Sequence, residues 1–496
     1  MASPSSPRTF EDLYSSKEDG LLAINELPSE GDGTNVPDLK RSSSLRKIDA
    51  RLMPIMLACY TLQFIDKGVL NYANIMGLQK DTGLHGDQFS WLATAFFIVF
   101  SIAQVPGVYI LARVPVNVYL GFGMLVCGIA VACTAACNNY ASLVAVRVFL
   151  ALGESTMAPS LSLVTMKWYT REEASRRYGI WYSGLGLGQM IGALMSYGFQ
   201  HVARGSFGSW RGMFLVVGIL NLLVAVWTYF CLTDNPTNAS FLAPEERTYF
   251  ARRLLSANKY VVNTTHFRLS QAISTLTSDA AIWLAFLIAA ACSLQSGAVS
   301  TFSSTIITGF GYKPMDAALL NIPSGAVSVV SSLAATWFVQ NNVPRSVAML
   351  VLVAPAITGA ALMSFAHAKA ALLLGIWLIN TITPILIVAI SWTQANCAGH
   401  TKRITYNAII MVAFGVGNIC GPQTFRAKDA PRFWPAKVTM LVATALSGVL
   451  TLVLLALYIM RNRRRLETDV GGEKDDEDVN VDEKTDFQIP GFRYVY

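Results

Sequence analysis

The sequence predicts an all-α membrane protein of twelve transmembrane helices in two six-helix halves. Three observations carry that prediction. Of the 496 residues, 53% are hydrophobic and 14% charged, with a mean hydropathy of +0.44, whereas an ordinary soluble domain carries about 25% charged residues. The charges are crowded into short segments between apolar runs of roughly 20 residues, the length that takes a helix across a hydrocarbon core of about 30 Å. Finally, the longest polar interruption, 233–279, divides the apolar region into 51–232 and 280–460, which are 182 and 181 residues long. Near-equal halves point to parallel repeats with a binding site between them at mid-membrane. Length alone leaves open a twelve-helix protein without repeats, since no clear internal identity accompanies it.

The expected spans, in order, are 52–75, 89–111, 117–137, 141–166, 178–201, 211–232, 280–309, 316–339, 346–366, 369–392, 405–425 and 437–460. Each is bounded by basic or turn-forming residues, and the basic ones set the orientation. The flank Lys40, Arg41, Arg46, Lys47 and Arg51 precedes span 1. Arg113 follows span 2, and Lys167, Arg171, Arg176 and Arg177 follow span 4. The central loop adds Arg247, Arg252, Arg253, Lys259 and Arg268. Arg345, then Lys402 and Arg403, precede spans 9 and 11, and Arg461, Arg463, Arg464 and Arg465 close span 12. The opposite side holds far fewer, among them Lys80, Arg204, Arg211 and Lys313. Positive charge collects on the cytoplasmic side, so both termini are expected in the cytoplasm of a plasma-membrane protein. The sequons Asn238-Ala-Ser240 and Asn263-Thr-Thr265, both in the central loop, should then stay unmodified.

Residues 1–50 read as a disordered cytoplasmic tail without the short apolar core of a signal peptide. Within it "RSSSLRK" at 41–47 has the look of a kinase target, a common kind of run. Residues 461–496 read as a second cytoplasmic tail, disordered over the acidic stretch 466–489. All eight cysteines lie in or beside apolar segments without metal-ligand spacing, which suits small core residues. No P-loop, G-x-S-x-G or H-E-x-x-H motif is present, so neither an enzyme nor a cofactor is expected. The net charge of +7 is explained by the loops and does not point to nucleic acid. "GLGLGQMIG" at 184–192 superficially resembles a nucleotide fingerprint, yet it lies in an apolar helix. Gly184, Gly188 and Gly192 recur at i, i+4, i+8 and make one smooth face for close helix packing.

Four ionisable residues fall well inside spans: Asp66 and Lys67 in "LQFIDKGVLNYA", and Arg147 and Glu154 in "RVFLALGESTMAPS". Each costs roughly 3 kcal/mol at the bilayer centre on insertion scales, and such groups are functional candidates by default. Arg147 and Glu154, seven residues apart, share a helix face about 10 Å apart, too far to pair directly. Counting from the cytoplasmic ends puts Glu154 level with Asp66 and Lys67. Span 1 adds a polar row, Gln63, Lys67 and Asn71, with Asn74 a turn further; it must face protein or a water-filled cavity. The second half offers only neutral groups at this depth, Gln295, Asn321, Asn380 and Asn418. The four charges suit either a structural cluster locking span 1 to span 4 or a site that handles charge, and the two are compatible.

These residues resemble the major facilitator superfamily and, within it, the fungal allantoate permease family of anion:cation symporters. The resemblance runs from Ile48 to Arg465. Its most specific parts are "FIDKGVLNYA", "RVFLALGESTMAPS", "KWYTREEASRRYGIWYSG" at 167–184, "TDNPTNASFLAPEER" at 233–247, "NCAGHTKR" at 396–403 and "GVGNICGPQTFRAKDAPR" at 415–432; the closing "FRYVY" is similar too. It implies the major facilitator fold and proton-coupled import of a small organic anion by a monomer. By the same resemblance Glu154 and Asp66 are the proton-coupling candidates. Lys67, Arg147, Gln63, Asn71, Gln295, Asn380 and Asn418 are the candidates for substrate contact. Two departures stand out. Leu111 occupies the place of the superfamily's acidic residue four after Gly107, and Gln295 stands where animal relatives carry a base. Two rival functions are weighed. Drug exporters carry a glycine-proline motif in span 5, of which Gly179, Gly188 and Gly192 are present but Ala193 replaces the proline. A nutrient sensor would need a signalling domain, for which both tails are short.

Overall fold

The computed structural model describes residues 38–111, 113–202, 209–236, 239–257, 268–469, 485–489 and 492–496; Asn238 and Asn263 of the sequons lie outside them. The first half comprises α1 (Asp38–Ile75), the short α2 (Leu78–Asp81), α3 (Gln88–Leu111), α4 (Val116–Thr134), α5 (Tyr140–Glu154), α6 (Met157–Trp168), α7 (Arg171–Tyr182), α8 (Gly184–Gln200) and α9 (Ser209–Cys231). Two helices, α10 (Pro244–Ala257) and α11 (Leu269–Ser278), lie between the halves. The second half follows with α12 (Ala280–Gly309), α13 (Pro314–Leu319), α14 (Ile322–Gln340), α15 (Arg345–Phe365), α16 (Lys369–Leu378), α17 (Ile385–Ala395), α18 (His400–Gln423) and α19 (Trp434–Asp469).

Among the described residues eleven helices are long and apolar enough to cross a membrane, counting α5–α6, α13–α14 and α16–α17 as single crossings. The twelfth is α7 and α8 in series, so the predicted span 178–201 begins earlier and is interrupted at Ser183. The Ser183 hydroxyl donates back to the Ile180 carbonyl at 2.6 Å while its backbone stays near helical values. Local chemistry sets the starts. Asn139 caps α5 by accepting from Ser142 N, and Thr170 with Glu173 forms a capping box on α7, each satisfying first-turn N–H groups.

Crossings four and ten, the corresponding members of the two halves, are both interrupted. In the first, Ser155 and Thr156 loosen the ladder just past Glu154. In the second, a 3-10 turn Ile379–Ile382 leads to Pro384, which has no N–H to continue the helix. The glycine face behaves as expected: a Cβ on Gly184 or Gly188 would collide with Thr61 of α1, and one on Gly186 with the Gly325 carbonyl of α14.

With twelve crossings, α1 begins and α19 finishes at the same end of the bundle, here the terminal end; the other is the distal end. At the distal end the halves are stitched together. Asn71 Nδ2 donates to Ser303 Oγ (2.8 Å) and Ser304 Oγ (3.0 Å), and Asn74 Nδ2 to Thr305 Oγ1 (2.9 Å). Ser90 Oγ donates to Phe425 O (2.9 Å), Gln423 Nε2 to Thr94 Oγ1 (2.8 Å) and Ala427 N to Asp87 Oδ1 (2.7 Å). Phe89 meets the Phe302 ring edge-on at 5.4 Å, and Phe302 is backed within its own half by Phe425. Among the described residues no ion pair crosses between the halves; Arg177–Asp49 and Lys167–Asp234 stay within the first.

Both expected tails need correction where they are described. α1 already begins at Asp38, because residues 44–50 find partners: Ile48 is buried, Arg177 clasps Asp49 with two 2.7 Å hydrogen bonds, and Glu246 of α10 holds Ser44 and Lys47. At the other extreme α19 continues to Asp469, and residues 485–489 and 492–496 fold back on the second half with Asp486 and Tyr494 buried. Lys402 and Arg465 supply the partners that make this acidic stretch dock. Residues 1–37 and 470–484 lie outside the described residues.

Candidate functional site

The polar row of α1 faces the space between the halves. Lys67 Nζ lies 3.1 Å from Glu154 Oε2, forming an ion pair between α1 and the interrupted end of α5. Its ammonium also sits 5.7 Å from the Phe96 ring and 5.1 Å from that of Phe100, positions that favour a cation over the π-face. Gln63 Nε2 donates to the Glu154 carbonyl at 3.4 Å. Asp66, one residue and about 100° around the helix, faces the first half instead, where Asn221 Nδ2 of α9 donates to its Oδ1 at 2.9 Å. Arg147, two turns from Glu154 on α5, lies 6.0 Å from the Phe214 ring. Asp66, Arg147 and Glu154 are all buried and close enough to feel one another's charge. Besides Glu154 Oε2, which meets only the Lys67 ammonium, five atoms here, Gln63 Oε1, Asp66 Oδ2, Arg147 Nη2, Glu154 Oε1 and Asn221 Oδ1, have no hydrogen-bond partner among the described residues. Buried polar atoms are normally satisfied, so this cluster has capacity for a further proton or ligand.

Two cavities adjoin the row. The first is lined by Tyr60, Gln63, Lys67, Phe97, Tyr182, Cys292, Ser293 and Asn418, among others. The second is lined by Asn71, Tyr72, Gln189, Gln295, Ser303 and Asn380, among others. They share Phe64, Leu185, Ser296, Ser300, Ile382 and Thr383, and so form one slot between the halves. One end of the slot is cationic and the other carries neutral amides. The break between α16 and α17 supplies Ile382 and Thr383 to its wall, and Gln295 Nε2 binds the Ile379 carbonyl there at 2.9 Å. Gln295 Oε1 accepts from Thr444, Asn380 Nδ2 donates to Ile376 O (2.7 Å) and Asn418 Nδ2 to Phe414 O (2.8 Å). Among the described residues no group of three His, Cys, Asp or Glu is placed to hold a metal.

Six of the nine candidate residues therefore line the slot: Gln63, Lys67, Asn71, Gln295, Asn380 and Asn418. Glu154 stands directly behind Lys67. Asp66 and Arg147 line neither cavity and sit deeper in the first half. Sequence reasoning missed Asn221, the Phe96–Phe100 box, and the serines of α12. Ser293, Ser296, Ser300 and Ser303 recur at helical spacing, a periodicity that was open to reading. Asn221, a lone amide in the apolar run "GILNLLV", carried no such signal.

Comparison with known proteins gives a consistent picture. A family model described as Major Facilitator Superfamily matches residues 56–422. The chain is similar to the thiamine pathway transporter of Saccharomyces cerevisiae, 33% identical, with 98% of this chain and 92% of that one covered. It is likewise similar to the allantoate permease of the same yeast, at 30% identity with 97% and 91% covered. Among solved structures it is similar to a bacterial homolog of the human lysosomal transporter Spinster, with a TM-score of 0.59 and 14% identity, covering 84% of this chain and 97% of that one; at this identity the likeness speaks for the fold.

Proposed function

Since the chain belongs to the major facilitator superfamily, and within it to the fungal allantoate permease family, it is a membrane transporter and not an enzyme, and we propose that it is a proton-coupled symporter importing a small organic anion. The observation that carries this reading is the Lys67–Glu154 ion pair at the wall of the slot. An anion entering the slot meets Lys67 as the cation that lines it. While Glu154 is ionised, that cation is already engaged. A proton arriving on Glu154 converts the carboxylate to a neutral acid, releases Lys67, and leaves the ammonium to bind the substrate carboxylate. Asp66, held by Asn221, and Arg147 complete the buried charge set and shift its balance. Glu154 is the first choice for the proton site and Asp66 the second.

The neutral end of the slot suits the uncharged remainder of the substrate. Differential binding of anion and proton to the two orientations then couples their movement. Interrupted helices at corresponding positions of the two halves, one lining the slot and the other holding Glu154 behind Lys67, support a binding site there. In this reading the protein is a plasma-membrane monomer with cytoplasmic termini, sealed on its external side in the conformation seen.

The test is uptake into proteoliposomes under an imposed inward proton gradient, with a panel of labelled carboxylates. Gradient-driven accumulation of at least one carboxylate is expected in the parent and not in Glu154→Gln. Accumulation independent of the gradient, or driven equally in Glu154→Gln and Asp66→Asn, overturns the mechanism.

A further inference from the structure

A second buried charge cluster lies at the terminal end of the second half, away from the slot. Lys402, in the first turn of α18, is 1% exposed; its Nζ is 2.7 Å from Asp279 Oδ2 and 2.7 Å from Asp486 Oδ1. Asp279 also takes Arg461 Nη2 and the Tyr406 hydroxyl, each at 2.7 Å, and Asp486 accepts from Tyr494 OH at 2.8 Å. Two cations thus balance two carboxylates. The Phe487 ring packs against Lys402 Nζ at 3.9 Å.

Around this anchor the residues 485–489 and 492–496 act as a strap. Val495 O accepts from Trp392 Nε1 and from Asn396 Nδ2, both at 2.9 Å, and Val495 N donates to Asn396 Oδ1 at 2.6 Å. Tyr494 N donates to Asn462 Oδ1 at 2.9 Å, and Arg345 N to Tyr496 O at 2.6 Å. All these partners belong to the second half, so a docked strap does not bar the route between the halves.

What it does hold is α17. That half-helix is separated from α16 by the 3-10 turn and Pro384, so it can tilt on its own. Its first residues, Ile385 and Leu386, line the slot together with Thr383. Its last, with Asn396 just beyond, are the ones bound by the strap. Eleven residues of helix make a stiff lever about 16 Å long. We propose that the strap is a positioning device: by fixing the terminal end of α17 it sets the shape of the slot wall at the other end. Undocking would free α17 to pivot about the break and loosen the slot. Buried ion pairs are suited to such a catch, since losing one partner leaves an uncompensated charge and the contact is all-or-none.

The protein's own cysteines allow a test that needs no substrate. Cys397, 1% exposed, lies in the α17–α18 turn beside the strap, and Cys292 lines the same cavity as Ile385. The full-length protein in nanodiscs would be labelled with N-ethylmaleimide and the rate followed at each cysteine by mass spectrometry. In Asp486→Asn, Cys397 should react on the order of tenfold faster, as for an easier local opening, and Cys292 should accelerate about threefold or more. The pair Lys402→Met with Asp486→Leu, which leaves Asp279 balanced by Arg461, should return both rates towards the parent's. Acceleration at Cys397 with Cys292 unchanged would reduce the strap to a local cover and overturn the proposal, as would no change at either. Cys59 and Cys127, buried in the first half, report global unfolding. If they too accelerate, Trp392→Phe, which removes a single donor to Val495, decides the question by the same two cysteines.

Discussion

Crossings four and ten occupy equivalent places in the two halves, and both lose their helical ladder beside the slot, yet their chemistry is opposite. The first is interrupted just past Glu154, whose carboxylate pairs with Lys67. The second is interrupted at Ile379–Pro384, where the Ile379 carbonyl and the amides of Asn380 and Gln295 meet. The repeat sets where a helix is broken, and the sequence of each half decides whether the break handles charge or neutral hydrogen bonds. Under the proposed symport, such a division of labour would assign the proton to one side of the slot and the substrate's neutral part to the other.

The comparison breaks most visibly if the charged wall is neutralised. Lys67→Gln leaves Glu154 buried without its cation, a penalty of several kcal/mol. Carboxylate uptake at fixed substrate should fall by ~100-fold or more with surface expression retained; parental kinetics in that variant would remove Lys67 from the site. Next in size is the interface between the halves. In Gly186→Val the added carbons must occupy the place of the Gly325 carbonyl, so purified protein should lose more than about 2 kcal/mol of stability from overpacking and transport should slow at all substrate concentrations. An unchanged melting curve and rate would show that α8 and α14 separate freely.

The neutral wall should answer more gently and in a different parameter. Gln295→Ala removes a hydrogen bond worth about 1 kcal/mol, raising half-saturation roughly five- to tenfold while the dependence on the proton gradient stays intact. Loss of coupling in that variant would erase the distinction between the two breaks. Smallest is an effect of pH at the terminal end. Burial pushes the Asp279 carboxyl up, but Lys402 and Arg461 outweigh it and hold it below the ordinary range. A depressed carboxylate stabilises above its ordinary pKa, and that share disappears as pH falls through the folded value. The midpoint should therefore drop on acidification by about 1 °C more in the parent than in Asp279→Asn, the shift ~1 kcal/mol produces in a chain of 496 residues. Identical pH profiles would discount the cluster.

The fold was legible because apolar runs of crossing length leave few alternatives. The charged wall was legible for a related reason: an ionisable residue inside such a run is rare enough to stand out, and counting depth from the ends already set Glu154 level with Lys67. The neutral wall was only half legible, since Asn and Ser are common in membrane helices and Asn221 has no neighbour that marks it. The strap was only half seen: the closing FRYVY stood out by its resemblance, while 485–489 were read as disordered. An acidic stretch looks solvated until its partner is known, and Lys402, 84 residues before Asp486 in the chain, looked like one more loop charge. Interruptions of the fourth, fifth and tenth crossings also escaped, because Ser155, Ser183 and Asn380 can sit in a continuous helix and only packing decides otherwise.

The distal seal consists of amides, hydroxyls and an edge-on ring pair, with Asp87 bonded to a backbone N–H and, among the described residues, no ion pair across it. Salt screens charges and leaves such contacts almost untouched. A door built this way opens with nearly the same effort in rainwater as in brine.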